Sequence, residues 1–292
     1  PLARQFLAAR GIRPDGYRRV AIFDYDDETK VYLERTQGLE RMNGLTRGPI
    51  RLWRWSHRWF KPQQQEEFRV DVTPAGEVVG FDHEIPEAVP GANLEPAPAR
   101  QIAEKFLRET MKCDLAGLEF VETQTQKRPA RTDHAFTWKQ TSVNLGDGSL
   151  RIAVGVDGDQ VVGYREYVRL PEQWTRDYEK LRSRNQSAQL VAEVFFILLS
   201  GAMLIVLVRR LRDRDVPLRL SVGFGLVAAV LYFLGQLNNL PLVEFYYRTT
   251  DSYASFLASY VRDGVLVALG VGAWVLFLVA GSEPVYREHY PG

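Results

Sequence analysis

Three long apolar stretches near the C-terminal end of the chain constrain it more than anything else in the sequence. They cover residues 188–208 (AQLVAEVFFILLSGAMLIVLV), 218–240 (LRLSVGFGLVAAVLYFLGQLNNL) and 264–281 (GVLVALGVGAWVLFLVAG). A hydrocarbon core about 30 Å thick takes roughly 20 apolar residues in helical form, and each stretch comes close to that. Only helices and closed barrels satisfy their backbone in lipid, and none of the three alternates with a period of two, so they read as helices. The lipid bilayer is therefore the first expected partner. The mean hydropathy of −0.22 hides this, because the long segment before residue 188 is polar.

The remaining totals exclude more than they assign. A formal net charge of +1 gives no reason to invoke nucleic acid. The single cysteine, Cys113, rules out an intramolecular disulfide and a cysteine metal cluster. The chain begins at Pro1 without a signal peptide and stops soon after an apolar span, which reads as an internal piece of a longer membrane protein.

Loop charge sets the expected orientation. The short connection from Arg209 to Arg219 carries Arg209, Arg210, Arg212, Arg214 and Arg219, and such loops stay cytoplasmic. The connection 241–263 is poorer in cations and holds Phe245, Tyr246, Tyr247, Tyr253 and Tyr260, which suit a headgroup belt on the far side. Residues 1–187 are then extracytoplasmic. Arg176, Lys180, Arg182 and Arg184 flank the first span on that side and oppose the assignment, although long domains translocate regardless of such charges.

The polar part contains an internal repeat. Residues 68–81 (FRVDVTPAGEVVGF) and 150–164 (LRIAVGVDGDQVVGY) are copies of one another, each an alternating strand, a glycine-bearing turn and a second strand ending Val-Val-Gly-aromatic. Upstream of each lies a Trp-bearing strand, 51–55 and 135–139, and before that a helix, near residues 3–7 and 99–107. The first copy has an extra helical stretch around 27–44. A helix laid on an antiparallel sheet buries a core in a unit of this size, so the expected fold is α+β, twice, followed by three transmembrane helices. The divisions are 1–90 and 91–170 for the repeats, 171–212 for a helical stalk continuous with the first span, and 213–292 for the other two spans.

Catalytic signatures are lacking. His57, His83, His134 and His289 form no HExxH or other metal-ligand spacing, and Asp82 and Glu84 flank His83 on a strand whose successive side chains point to opposite faces. Two polar groups stand out instead. Trp53, Arg54, Trp55, Arg58 and Trp59 (within RLWRWSHRWF) are either an aromatic cross-strand ladder with stacked arginines or a strip that binds a peptide or headgroup. Glu193, at the outer end of the first span, either faces Gln236, Asn238 and Asn239 of the second span or reaches interfacial water.

The runs GEVVGFDHEIPE, RTDHAFTW, GDQVVGYREYVRLPEQW, FFILLSGAMLIVLVRR, QLNNLP, TTDSYASF and SEPVYREHYP resemble the N-terminal, accessory region of a bacterial subgroup of CPBP-family (CAAX-protease-like) intramembrane endopeptidases. The two repeats resemble PepSY-type extracytoplasmic modules, and the resemblance covers essentially the whole chain. It implies a sensing and anchoring role beside catalytic helices that would follow Gly292, with an EExxxR motif and a glutamate/histidine site for a divalent metal there. Glu66-Glu67-Phe68-Arg69 has the wrong spacing and lies on a polar strand, so no catalytic, cofactor or metal residue carries over. A peptide or protein outside the cytoplasm is the implied partner. The alternative from the residues alone is a membrane-anchored binding or signalling protein without enzymatic activity.

Overall fold

The structure, a computed structural model, describes residues 1–213, Val216 and residues 218–290. Arg214 and Arg219 of the arginine-dense connection part company here, since Arg214, Asp215 and Pro217 lie outside the described residues, as do Pro291 and Gly292. The chain divides into two compact units, Pro1–Thr175 with Glu244–Ser252, and Arg176–Val243 with Tyr253–Gly292.

The first unit is built on one eight-stranded antiparallel sheet. In chain order its elements are α1 (Leu2–Ala9), β1 (Arg18–Tyr25), α2 (Asp27–Gln37), α3 (Leu39–Arg47), β2 (Trp53–Phe60), β3 (Glu67–Val72), β4 (Val78–Glu84), α4 (Pro96–Glu109), β5 (Leu118–Lys127), β6 (Thr132–Gln140), β7 (Ser149–Asp157) and β8 (Gln160–Arg169). The strand order β1-β2-β3-β4-β8-β7-β6-β5 joins the two repeats through their last strands. The hairpin turns at Gly76 (φ 93°) and Gly158 (φ 63°) use the left-handed region that glycine adopts without a Cβ penalty.

The repeats meet across a local two-fold. Gly80 pairs with Arg165, Phe81 with Tyr164 and Asp82 with Gly163, so the Val-Val-Gly-aromatic runs cross antiparallel about the Phe81–Tyr164 pair. The same register corrects the repeat alignment further upstream. Trp59 lies opposite Phe68, and Trp138 lies opposite Ile152, which makes Trp59 the counterpart of Trp138. Trp53 and Trp55 have no such counterpart, because β2 extends past the strand end expected at residue 55.

Alternation puts Trp59, Phe68, Val70, Phe81, Phe136, Trp138, Val154 and Tyr164 on one face, where α1 and α4 cover them through Ala3, Leu7, Ala103 and Leu107. Proline in the first turn of α4 costs no hydrogen bond, and the spacing of Ala99, Ala103, Phe106 and Leu107 is that of a helix with one buried stripe. The extra helices α2 and α3 cover a second cluster through Tyr32, Leu33 and Met42, packed with Leu145, Leu150 and Val168. Asp26 caps α2 by accepting from the Thr29 backbone N–H at 3.0 Å.

The second unit holds α5 (Glu172–Arg212), which begins in the first unit, α6 (Leu218–Asn238) and α8 (Tyr253–His289), with the short α7 (Leu240–Phe245) leading out of it. α5, α6 and α8 are long and apolar enough to cross a membrane. At 1.5 Å per residue the 41 residues of α5 span about 60 Å, twice a hydrocarbon core. The third helix is also longer than the apolar stretch 264–281 within it. Glycines set the α6–α8 crossing: a Cβ on Gly225 would stand 2.7 Å from the Gly272 carbonyl, and one on Gly272 2.8 Å from the Gly225 carbonyl. Small residues let two backbones approach in this way where lipid supplies no hydrophobic drive.

Gly272→Leu should therefore destabilise the detergent-solubilised protein by about 1–3 kcal/mol, the usual cost of overpacking a tight contact. Gly270→Leu, whose added side chain meets open space, should change the unfolding midpoint little. Equal melting of the two variants would contradict the crossing.

Candidate functional site

Strand β2 splits the Trp/Arg strip between two faces. Trp53, Trp55 and Trp59 point toward the helix-covered side, and Arg54 and Arg58 toward the other. Trp59 is fully buried and belongs to the core, not to a binding surface. Trp53 and Trp55 do form an aromatic ladder, with Phe23 stacked on Trp53 at 6.5 Å and edge-on to Trp55 at 5.2 Å, and Tyr25 at 5.0 Å from Trp53. Neither arginine of the strip stacks on its tryptophans: Arg58 lies over Phe60, and it is Arg19 that lies over Trp59. His57, beside them, accepts at Nδ1 from Arg19 at 3.2 Å. Burial, then the Arg19 charge, pull its pKa down to about 4.

Arg58 is the central polar residue of the opposite face. Its Nη1 donates to the backbone carbonyls of Phe245 (2.7 Å) and Tyr247 (2.8 Å), and its Nε to Glu67 Oε2 (2.9 Å). Glu67 also accepts from Arg69 Nη2 at 2.7 Å. Arg58 and Glu67 are both almost fully buried, so each removes the charge penalty of the other. The clamp fastens Glu244–Ser252, the segment between α6 and α8, onto the sheet. Further ties are the Gln63 N–H donating to the Thr249 carbonyl (2.6 Å), Arg18 paired with Glu244 (3.2 Å) and Phe60 packed on Tyr247 at 5.3 Å. Phe245 and Tyr247 are thus buried in the first unit, which removes them from the headgroup belt expected of this connection. No sequence signal pointed to the clamp, because its acceptors are main-chain carbonyls.

Beside the clamp the same face opens into a trough of about 490 Å³. Its floor is bare: Gly80, Gly155 and Gly163, with Ala135 and Ala153, expose main chain while Phe81, Val154 and Tyr164 turn their side chains into the core. Gly80 is required by Asp71, whose Oδ2 would stand 2.6 Å from an added Cβ. Arg54 bridges Asp24 (3.0 Å) and Asp71 (3.6 Å), while Asp82, Arg165, Phe245 and Tyr246 complete the lining. Loss of surrounding water raises the pKa of Asp71, against the opposing pull of Ser56 and Arg54, and raises that of Asp82 against Arg69. Three aspartates and three arginines (Arg54, Arg69, Arg165) line the site, so it suits a ligand carrying both signs of charge.

The intramembrane group is not assembled by hydrogen bonds among the described residues. Glu193 accepts from Gln189 one turn earlier (3.1 Å), and Gln236 donates to Tyr232 (2.8 Å) while its carbonyl accepts from Tyr260. Asn239 donates through its backbone N–H to Gly235 and Gln236, and Asn238 closes α6. The hydrogen bonds of Glu193 and of the Gln236 side chain run to residues one turn away on their own helices, and Tyr260 of α8 adds a bond to the Gln236 carbonyl.

No protein family, curated protein or solved structure matches the chain.

His57 stays neutral in the folded chain to about pH 4, whereas its ordinary value is 6.5. Between those values the unfolded chain binds the extra proton, so the stability present above pH 6.5 is lost as pH falls toward 4. His57→Gln should flatten that part of the profile of unfolding midpoint against pH; an unchanged slope would contradict the assignment.

Proposed function

We propose that the chain is the sensing and anchoring part of a membrane protein, in which an extracytoplasmic α+β module binds a ligand and passes its state to the membrane helices. The observation that carries this reading is the grip of buried Arg58 on the carbonyls of Phe245 and Tyr247. Through it the link between two membrane helices becomes part of the sheet module, so a change in the module is a change in where α7 ends and α8 begins. A passive anchor would need no such buried charge, whose desolvation is costly unless every partner is in place.

On the resemblance of the quoted runs, the two repeats are PepSY-like and the membrane part belongs with a CPBP-type intramembrane peptidase whose catalytic helices and metal site come later in the protein. A non-enzymatic signalling protein uses the same clamp equally well. Reading the coding sequence beyond Gly292 separates them: an EExxxR motif on an apolar helix favours the peptidase, a kinase or cyclase domain the signalling protein.

The same arrangement supports the sidedness read from loop charge. Thr175 and Glu244–Ser252 belong to one compact unit, so they share one side of a membrane that α5 and α6 cross. Arg210 pairs with Glu288, which favours the far ends of α5 and α8 sharing the other. The arginines of the α5–α6 connection make that other side cytoplasmic.

Two outcomes are expected. Protease outside intact cells should cut within 176–184 and spare 209–213; the reverse pattern would invert the topology. Replacing the clamp by Arg58→Met with Glu67→Met, which leaves no buried charge unpaired, should keep the sheet folded but expose Arg248 to trypsin at least about tenfold faster, as loss of more than 1.4 kcal/mol of local anchoring requires. Unchanged cleavage at Arg248 would remove the coupling.

A further inference from the structure

We propose that the trough over the β4–β8 junction binds a short peptide with free ends, its ammonium group on Asp82 and its carboxylate on Arg165. The inference rests on the reading of this unit as a binding module and names the ligand class.

The argument starts from the repeat. Asp82 follows Gly80-Phe81, and Arg165 follows Gly163-Tyr164, so the two residues hold equivalent positions in the two copies. The antiparallel pairing sets each of them opposite the glycine of the other copy, Asp82 against Gly163 and Arg165 against Gly80. A pseudo-symmetric floor therefore carries a carboxylate at one end and a guanidinium at the other. A ligand with two like ends would leave one of these groups facing its own charge; a zwitterion matches both and fixes its direction.

The other charges of the trough are already engaged. Arg54 is held between Asp24 and Asp71, and the Arg69 guanidinium is on Glu67. Arg165 makes no ion pair among the described residues and lies over the Tyr167 ring at 4.6 Å. The Asp82 side chain likewise makes no hydrogen bond or ion pair among them, although the Arg69 charge is near enough to be felt. Both side chains are exposed to solvent, within reach of a ligand, and a hydrogen bond between two charged groups is stronger than one between neutral groups.

Size and shape agree with a peptide. Asp82 and Arg165 are diagonal neighbours on adjacent strands, a separation of about 7–8 Å, which an extended peptide covers with two or three residues at about 3.3 Å each. The volume, about 490 Å³, lies within the range of small-ligand clefts, about 300–1,000 Å³. Glycine and alanine on the floor let the peptide main chain lie against the sheet, and the lining rings of Phe245 and Tyr246 face an apolar side chain pointing away from it. Those rings belong to the clamped segment, so the bound peptide would touch the link to the membrane helices directly.

The test is calorimetric titration of the full chain in detergent with the tripeptide Ala-Leu-Ala, with its N-acetyl form and with its C-terminal amide. Saturable one-to-one binding is expected for the free tripeptide, with at least about a tenfold loss when either end is blocked, as removal of a hydrogen bond to a charged group implies. Asp82→Asn and Arg165→Gln should each cause a similar loss without lowering the unfolding midpoint. The double variant Asp82→Arg with Arg165→Asp should restore binding, because the local two-fold lets the peptide enter reversed. No saturable binding, equal binding of the blocked peptides, or no rescue by the charge swap would overturn the proposal. Trypsin cleavage at Arg248 is measured without peptide, so failure of the clamp and failure of the peptide site give separate results.

Discussion

The buried pair of Arg58 and Glu67 is the contact on which the arrangement of this chain turns. A guanidinium taken out of water is tolerable only when its donors are all occupied, and here they are divided between one carboxylate and two main-chain carbonyls. The carboxylate comes from the neighbouring strand and would be met by almost any packing of β2 on β3. The carbonyls come from residues 187 and 189 positions later in the chain, and docking of Glu244–Ser252 supplies them. Docking is thereby tied to the solvation of a charge. If the segment leaves, Arg58 keeps Glu67 but loses the partners of Nη1, and water must enter to replace them.

That dependence shows why some features were legible in the sequence and others were not. The hairpin copies could be read because turn glycines and period-two alternation are local, and the Val-Val-Gly-aromatic runs repeat almost letter for letter. The single helix Glu172–Arg212 could be read because no proline or glycine interrupts it before the apolar run and proline stands just ahead of it. The Trp/Arg strip was misleading as a unit. A strand sends neighbours to opposite faces, so what looked like one surface is a core tryptophan, an exposed ladder and two arginines on the far side. Composition flagged Arg58 as unusual but could not name its acceptors, since every residue has a carbonyl.

The trough depended on a pairing that no local pattern encodes. Each repeat ends in a strand that could have been an open edge, which is a liability in a folded protein. Pairing β4 with β8 closes both edges at once, and it also lays the two glycines across from the two charged residues. The bare floor and its opposed charges are thus by-products of how the repeats join. Divergence at one position, aspartate in the first copy and arginine in the second, is enough to turn a symmetric seam into a polar site with a direction.

The geometry of the links then decides what such a site can influence. The module continues into the second unit at three points, after Thr175, before Glu244 and after Ser252, and the last two are the ends of the clamped segment. Phe245 is the last residue of α7, and α8 begins at Tyr253, directly after the clamped segment. The long helix α8 is in turn locked to α6 at Gly225 and Gly272, where the backbones are too close for either helix to slide without the other. In the proposed sensing role, the route from the trough runs from the rings that line it, to the main chain held by Arg58, to the closely packed pair α6 and α8.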